Sequence, residues 1–315
     1  MNPAIAGVVW ALAFVVLEAV QYVFFGGIFQ RMSSFLFGFL VFAITTVTFV
    51  GWAAWKAPEQ LKAAFANPAP LIAANVTATL AWAAYLMSVQ LIEPAAAYTI
   101  AAGAMPITAY LAYRFGLPEG DPMRNRMEAL GNLVVFGGIV YLSFATIIGW
   151  SGFVRGGPGV AAAGVLLAIA DGVLFTMVII YCQRMDRVGV GPSAVFGLRQ
   201  MLYIFVAGGL VTLGVDSKGA LEPSEIALII AIGLVLTVPP LYALQRAVSM
   251  ISTLTISALT ALGPFLIFGL QMFEGRVDYA PATLAGLLFY FAGALLAAFG
   301  AVKATAAGEV PAAGE

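Results

Sequence analysis

AIAGVVWALAFVVLEAVQYVFF, residues 4–25, decides the fold. Its only ionisable side chains are Glu18 and the phenol of Tyr22. The stretch matches one crossing of a bilayer core, about 30 Å or roughly 20 residues of helix. On a soluble helix Glu18 would simply mark a solvent-facing stripe, and the rest of the chain rules that out. The stretch has no basic leader and exceeds the apolar core of a cleavable signal peptide, so it is expected to stay as a span.

The remaining chain reads the same way. Of 315 residues, 62 % are hydrophobic and 9 % charged, against roughly 25 % charged in a soluble domain. Mean hydropathy is +1.01. So little charge cannot cover a globule, and lipid must solvate most of the chain. Backbone polar groups in lipid must be satisfied internally, which favours helices. The apolar runs are continuous, whereas strands of a membrane barrel would alternate.

Several function classes are excluded or disfavoured. The net charge of −1 comes with no basic cluster for nucleic acid. There is no histidine, and Cys182 is the only cysteine. The usual neutral-pH proton carrier is therefore missing, no internal disulfide can form, and a zinc or copper site is not expected. Lys56, Lys62, Lys218 and Lys303 are each followed by Ala or Gly, so no phosphate-binding GK[ST] motif exists. No nucleophile–base pair stands out, no GxGD motif is present, and neither enzymatic chemistry nor a cofactor is expected.

Hydropathy with Gly, Pro and charge as punctuation predicts about ten spans: 4–25, 33–55, 69–91, 94–114, 128–148, 159–182, 193–213, 224–246, 249–272 and 281–303. The tail, 304–315, is rich in small residues and is expected to be disordered. With the N-terminus in the cytoplasm, inside segments hold Lys56, Lys62, Arg114, Arg124, Arg126, Arg184, Arg187, Arg246 and Lys303. Outside loops hold only Arg31, Arg155, Lys218 and Arg276. This bias predicts cytoplasmic N- and C-termini.

The chain also repeats. Glu18, Gln30 and Arg31 recur as Asp171, Gln183 and Arg184 at a constant offset of 153. Tyr85 then matches Tyr242, Met105-Pro106 matches Gly263-Pro264, and Gly131 and Gly138 match Gly286 and Gly293. The ordered matches predict two five-helix repeats, 1–150 and 151–303. Five is odd, so the second repeat is inverted, an architecture of secondary transporters. The expected fold class is an all-α polytopic membrane protein.

Two longer stretches carry a family resemblance. ALQRAVSMISTLTISALTALGPFLIFGLQMFEGR, residues 243–276, precedes AGLLFYFAGALLAAFG, residues 285–300. The first half offers EPAAAYTIAAGAMPITAYLAYRFGLPEG, residues 93–120, less cleanly. Together they resemble the drug/metabolite transporter superfamily, its ten-helix EamA-type members, and most nearly the YddG-like exporters of aromatic and other neutral amino acids. Pro264 and Glu274, and Pro106 and Glu119, stand at positions matching the family's repeat ending. The resemblance covers essentially the whole chain. It implies export across the bacterial inner membrane and a central cavity lined mainly by helices 1, 3, 4, 6, 8 and 9.

Candidate residues follow from cost and position. A charge at mid-bilayer costs about 2.5–3.5 kcal/mol on insertion scales, so Glu18 and Asp171 should face the bundle or a wet cavity. They read either as substrate-ammonium or proton-coupling acids, or as protonated structural acids. Arg199, inside the seventh span, reads as snorkelling toward the headgroups, with substrate-carboxylate binding as the minor alternative. Asn75, Ala78, Trp82 and Tyr85 share one helical face, with Tyr98 on the next span and Tyr242 as the repeat mate of Tyr85. This stripe is either a cavity wall that stacks on an aromatic or cationic substrate or ordinary interhelical packing. Trp10 extends the Glu18 face, Phe175 lies one turn after Asp171, and Gln245 offers an amide near the cytoplasmic end of span eight. Pro106 and Pro264 read as hinges or static kinks. The seven-residue glycine repeats in spans five and ten read as close packing, within the chain or at a dimer face.

The expected function is a secondary transporter exporting a neutral, aromatic or bulky apolar amino acid by alternating access. Efflux of organic cations is the rival, followed by a non-transporting scaffold or an intramembrane enzyme. Expected partners are the small-molecule substrate, the lipid bilayer and a coupled proton, with the chain as monomer or homodimer.

Overall fold

Prolines start most of the helices. The computed structural model describes residues 3–120, 122–248, 250–251 and 259–306. Twelve helices follow in order: α1 (Pro3–Ile28), α2 (Ser34–Lys56), α3 (Pro58–Ala66), α4 (Pro68–Leu91), α5 (Pro94–Arg114), α6 (Arg126–Ile147), α7 (Pro158–Arg187), α8 (Pro192–Leu198), α9 (Met201–Thr212), α10 (Pro223–Val248), α11 (Gly263–Glu274) and α12 (Pro281–Ala306). Eight of them begin at a proline, where the missing N–H needs no partner and φ is already helical.

The chain is an all-helical, multi-pass membrane protein: 81 % is helix, with no strand among the described residues. Nine helical segments there are long and apolar enough to cross a bilayer. Their outer faces are apolar too, with Val47 74 %, Phe205 75 % and Leu166 66 % exposed. Such side chains in water would be an aggregation surface; in lipid they are solvated. Trp52 and Trp55 sit at the end of α2, and the Lys56 ammonium lies 3.7 Å from the Trp55 ring centroid, as at a headgroup boundary.

Three expectations change, and a fourth falls largely outside the described residues. The expected span 249–272 crosses 249 and 252–258, outside the described residues; α11 is its described part. The expected span 193–213 is interrupted at Arg199 and Gln200, which separate α8 from α9. Pro264 does not kink a continuous helix: a turn at 261–262 precedes it and it takes the second position of α11. Pro106, by contrast, lies inside the continuous α5. Residues 304–306, expected in the disordered tail, instead continue α12 to Ala306; 307–315 lie outside the described residues.

The chain packs as two compact units. Unit 1 is Met1–Gly27, Ser88–Ile169 and Leu236–Glu315; unit 2 is Ile28–Met87 and Ala170–Val235. Each draws on both sequence halves, so these units are not the two expected repeats.

In unit 1 the tightest pair is α6 with α12. A Cβ at Gly293 would meet the Val135 nitrogen at 2.6 Å and the Gly131 oxygen at 2.8 Å; one at Gly138 would meet Phe289 Cβ at 3.2 Å. The two seven-residue glycine repeats therefore pack against each other inside the chain, as small residues do between membrane helices. Asn125 finishes the pair. Its Oδ1 accepts from Glu128 N at 2.9 Å, capping α6, and its Nδ2 donates to Gly300 O at 2.5 Å.

In unit 2, α2 packs on α8 and α9. Thr46 Oγ1 donates to Gly197 O at 3.1 Å. The rings of Phe42 and Tyr203 meet edge-on with centroids 5.1 Å apart.

Candidate functional site

On α1, Trp10, Phe14, Glu18 and Tyr22 recur every four residues and so share one face. That face meets aromatic groups of unit 1. Tyr98, five residues into α5, donates its phenol to Glu18 Oε2 at 3.1 Å. Tyr22 sets its ring edge-on to Tyr98, centroids 4.9 Å apart. Tyr290 of α12 interacts electrostatically with Glu18. A Cβ at Gly263 would come within 2.8 Å of the Tyr98 oxygen, so α11 starts directly against this phenol. Two turns before Glu18, Trp10 meets Tyr242 edge-on at 5.7 Å. Glu18 is half-buried. The arrangement is a membrane carboxyl group held by one phenol among aromatic rings. It can bind or release a proton, or attract a cation to a face of π-systems.

Of the other binding candidates, all but Gln245 lie in unit 2. Trp82 and Tyr85 have ring centroids 5.5 Å apart, and Trp82 packs on Phe42 at 4.6 Å. Tyr85 and Phe42 are buried and Trp82 is half-buried. Asn75 Oδ1 accepts the backbone N–H of Leu202 at 3.0 Å, in the first turn of α9. Asp171 is buried and Phe175 half-buried on α7. Gln245 lies on α10, but its side chain falls outside the described residues. Two contacts between candidate residues form in unit 1, Glu18 with Tyr98 and Trp10 with Tyr242. Two more form in unit 2, Trp82 with Tyr85 and Asn75 with α9.

The sequence reading missed a further buried acid. Glu93 lies between the spans Pro68–Leu91 and Pro94–Arg114 and is fully buried. Its Oε2 accepts from Thr283 Oγ1 at 2.6 Å and from Gly152 N at 2.8 Å; its Oε1 accepts from Gln271 Nε2. Gln271 Oε1 in turn accepts from Ala95 N at 3.2 Å. Burial pushes the Glu93 carboxyl above its ordinary value, opposed by those hydrogen bonds and by the charge of Arg276. Arg276 stacks over Phe153 at 4.3 Å and meets Glu274 through Nε at 3.3 Å. This node ties the α4–α5 corner to α11, α12 and the 149–157 loop within unit 1. Among the described residues no three or more of His, Cys, Asp and Glu are grouped to hold a metal ion.

No family model and no curated protein matches the chain. Nine solved chains do match. One of them, described only as "Crystal structure of protein", aligns over 96 % of this chain and 98 % of its own, at 19 % identity and a TM-score of 0.60. At that identity the likeness concerns the fold alone.

Proposed function

We propose that this chain is a secondary transporter of the drug/metabolite transporter type that exports neutral, chiefly aromatic, amino acids from the bacterial cytoplasm, with Glu18 as its proton-coupling group. One observation carries the reading: a carboxyl group in a membrane-length helix, hydrogen-bonded to the Tyr98 phenol and ringed by Tyr22 and Tyr290. An acid at that depth is costly to keep unless it is used. Without histidine in the chain, such a carboxyl group is the natural proton carrier. The expected inverted repeats, cytoplasmic termini and alternating access belong to this proposal.

Efflux of organic cations is a second reading, favoured by the same acid among aromatic rings. Proteoliposomes separate the two. Labelled phenylalanine, tryptophan and threonine and a quaternary ammonium dye are tested in turn, with and without a pH gradient. Gradient-driven amino-acid flux supports the proposal. Dye flux without amino-acid flux supports the rival, and no flux of any probe overturns both.

A further inference from the structure

The seventh span is interrupted without a glycine or proline at the break. Arg199 and Gln200 hold ψ of −10° and −5° between α8 and α9; Arg199 N still donates to Val195 O at 3.0 Å and Gln200 O still accepts from Ile204 N at 3.2 Å, so the interruption is confined to one turn. Broken helices inside a membrane are tolerated where the freed polar groups find partners or line a site.

Here the partners are incomplete. Gln200 is fully buried, and neither its Oε1 nor its Nε2 has a hydrogen-bond partner. Arg199 Nε is buried and unpaired as well. The Arg199 guanidinium makes a 3.5 Å contact from Nη1 to Cys182 Sγ and stacks on Phe196 at 5.2 Å. No carboxylate pairs with it among the described residues. Gln200 is also the N-cap of the twelve-residue α9, yet its side chain caps nothing. Asn75 Oδ1 reaches Leu202 N instead. An arginine, the first turn of a helix and an unused amide thus occupy successive positions at one break.

We infer that the Arg199–Gln200 break is a binding site for the zwitterionic end of an α-amino acid. The carboxylate would accept from Arg199 Nε and Gln200 Nε2, and the ammonium would donate to Gln200 Oε1. An amide with one unmet donor and one unmet acceptor matches a ligand carrying acceptor and donor on neighbouring atoms. Tyr203, one turn along α9, leads to the Phe42–Trp82–Tyr85 rings, of which Trp82 is half-buried. That places apolar aromatic surface in the same unit for the ligand's side chain. This inference rests on the amino-acid reading above but not on Glu18.

The test is equilibrium binding to the purified full-length protein in detergent. Probes are phenylalanine, leucine, threonine and phenethylamine, the last lacking the carboxylate. Variants are Arg199→Gln, Arg199→Lys and Gln200→Leu. Amino-acid binding should weaken by roughly tenfold to a hundredfold in Arg199→Gln and Gln200→Leu, as for lost hydrogen bonds to charged groups. Arg199→Lys should recover part of it, and phenethylamine should bind every form alike. Gln200→Leu removes the orphaned amide and should keep its melting temperature, so it carries the test if an Arg199 variant does not fold. Folded variants that bind amino acids like wild type, or wild type indifferent to the carboxylate, overturn the site. The site is then a pocket for buried water. Flux of the quaternary ammonium dye without any amino-acid binding overturns the site and the amino-acid reading while leaving transport standing.

Discussion

The Tyr98 phenol donates to Glu18 Oε2 across 3.1 Å, joining two membrane-length helices whose contacting residues are 80 positions apart in the chain. The bond sets the carboxyl group against a phenol whose ring also meets Tyr22 edge-on.

Glu18→Gln should abolish accumulation driven by a pH gradient while leaving facilitated flux, because the amide cannot carry a proton. Tyr98→Phe removes one hydrogen bond to a charged or polar acid, worth about 1.5–3 kcal/mol in the charged case, and should slow gradient-driven flux by about tenfold or more. Flux in proteoliposomes reads both. Full gradient-driven accumulation by Glu18→Gln would remove Glu18 from the coupling step.

Glu93 yields a pH prediction of stated sign. Its folded carboxyl is raised above the unfolded value, so between those two values the folded state holds more proton than the unfolded state. Stability must therefore fall as pH rises through that window, then level off above the folded value. Glu93→Gln should flatten this part of the profile. Thermal unfolding in detergent from about pH 4 to about pH 8 covers the ordinary carboxyl range and above. A wild-type profile that rises through the window would show that the Thr283, Gly152 and Gln271 bonds outweigh burial.

Local signals were legible and distant ones were not. The apolar run around Glu18 and the glycine repeats in spans five and ten declare themselves within one helix. Glu18 and Tyr98 both stood out, yet nothing near either residue showed that they touch. Glu93 carries no local mark of its role, because Gly152, Gln271 and Thr283, which make it a node, lie 59 to 190 residues away. The break at Arg199–Gln200 has no proline or glycine to mark it, so hydropathy ran straight through. Pro264 misled in the opposite direction, since a mid-span proline reads as a kink unless the preceding turn is known.

Gly293→Leu tests where the glycine repeat is used. The new side chain would start 2.6 Å from the Val135 nitrogen and 2.8 Å from the Gly131 oxygen. Both are backbone atoms, so α6 and α12 must part. Overpacking costs about 1–3 kcal/mol, and the melting temperature should drop. A stripe serving a second copy would instead change the oligomeric mass and spare the melting temperature. Light scattering with thermal unfolding separates these outcomes.

Asp216 ties a loop of unit 2 to a helix start. It is the one non-glycine residue with positive φ among the described residues, at 59°. Its Oδ2 accepts from both N and Oγ of Ser34 at 2.8 Å, and its Oδ1 meets Lys218 Nζ at 2.6 Å with both side chains under 10 % exposed. Lys218 also reaches Met32 O at 3.3 Å. The 213–222 loop is thereby fastened to the start of α2. Asp216→Ala strips Ser34 and Lys218 together and puts a poorer residue in the left-handed region, so it should cost about 3–5 kcal/mol, the usual result of orphaning a buried charge. Asp216→Asn tolerates the backbone and still accepts from Ser34, losing only the charge, so it should cost less. Equal losses in thermal unfolding would mean that the ion pair, and not the Ser34 cap, holds the loop.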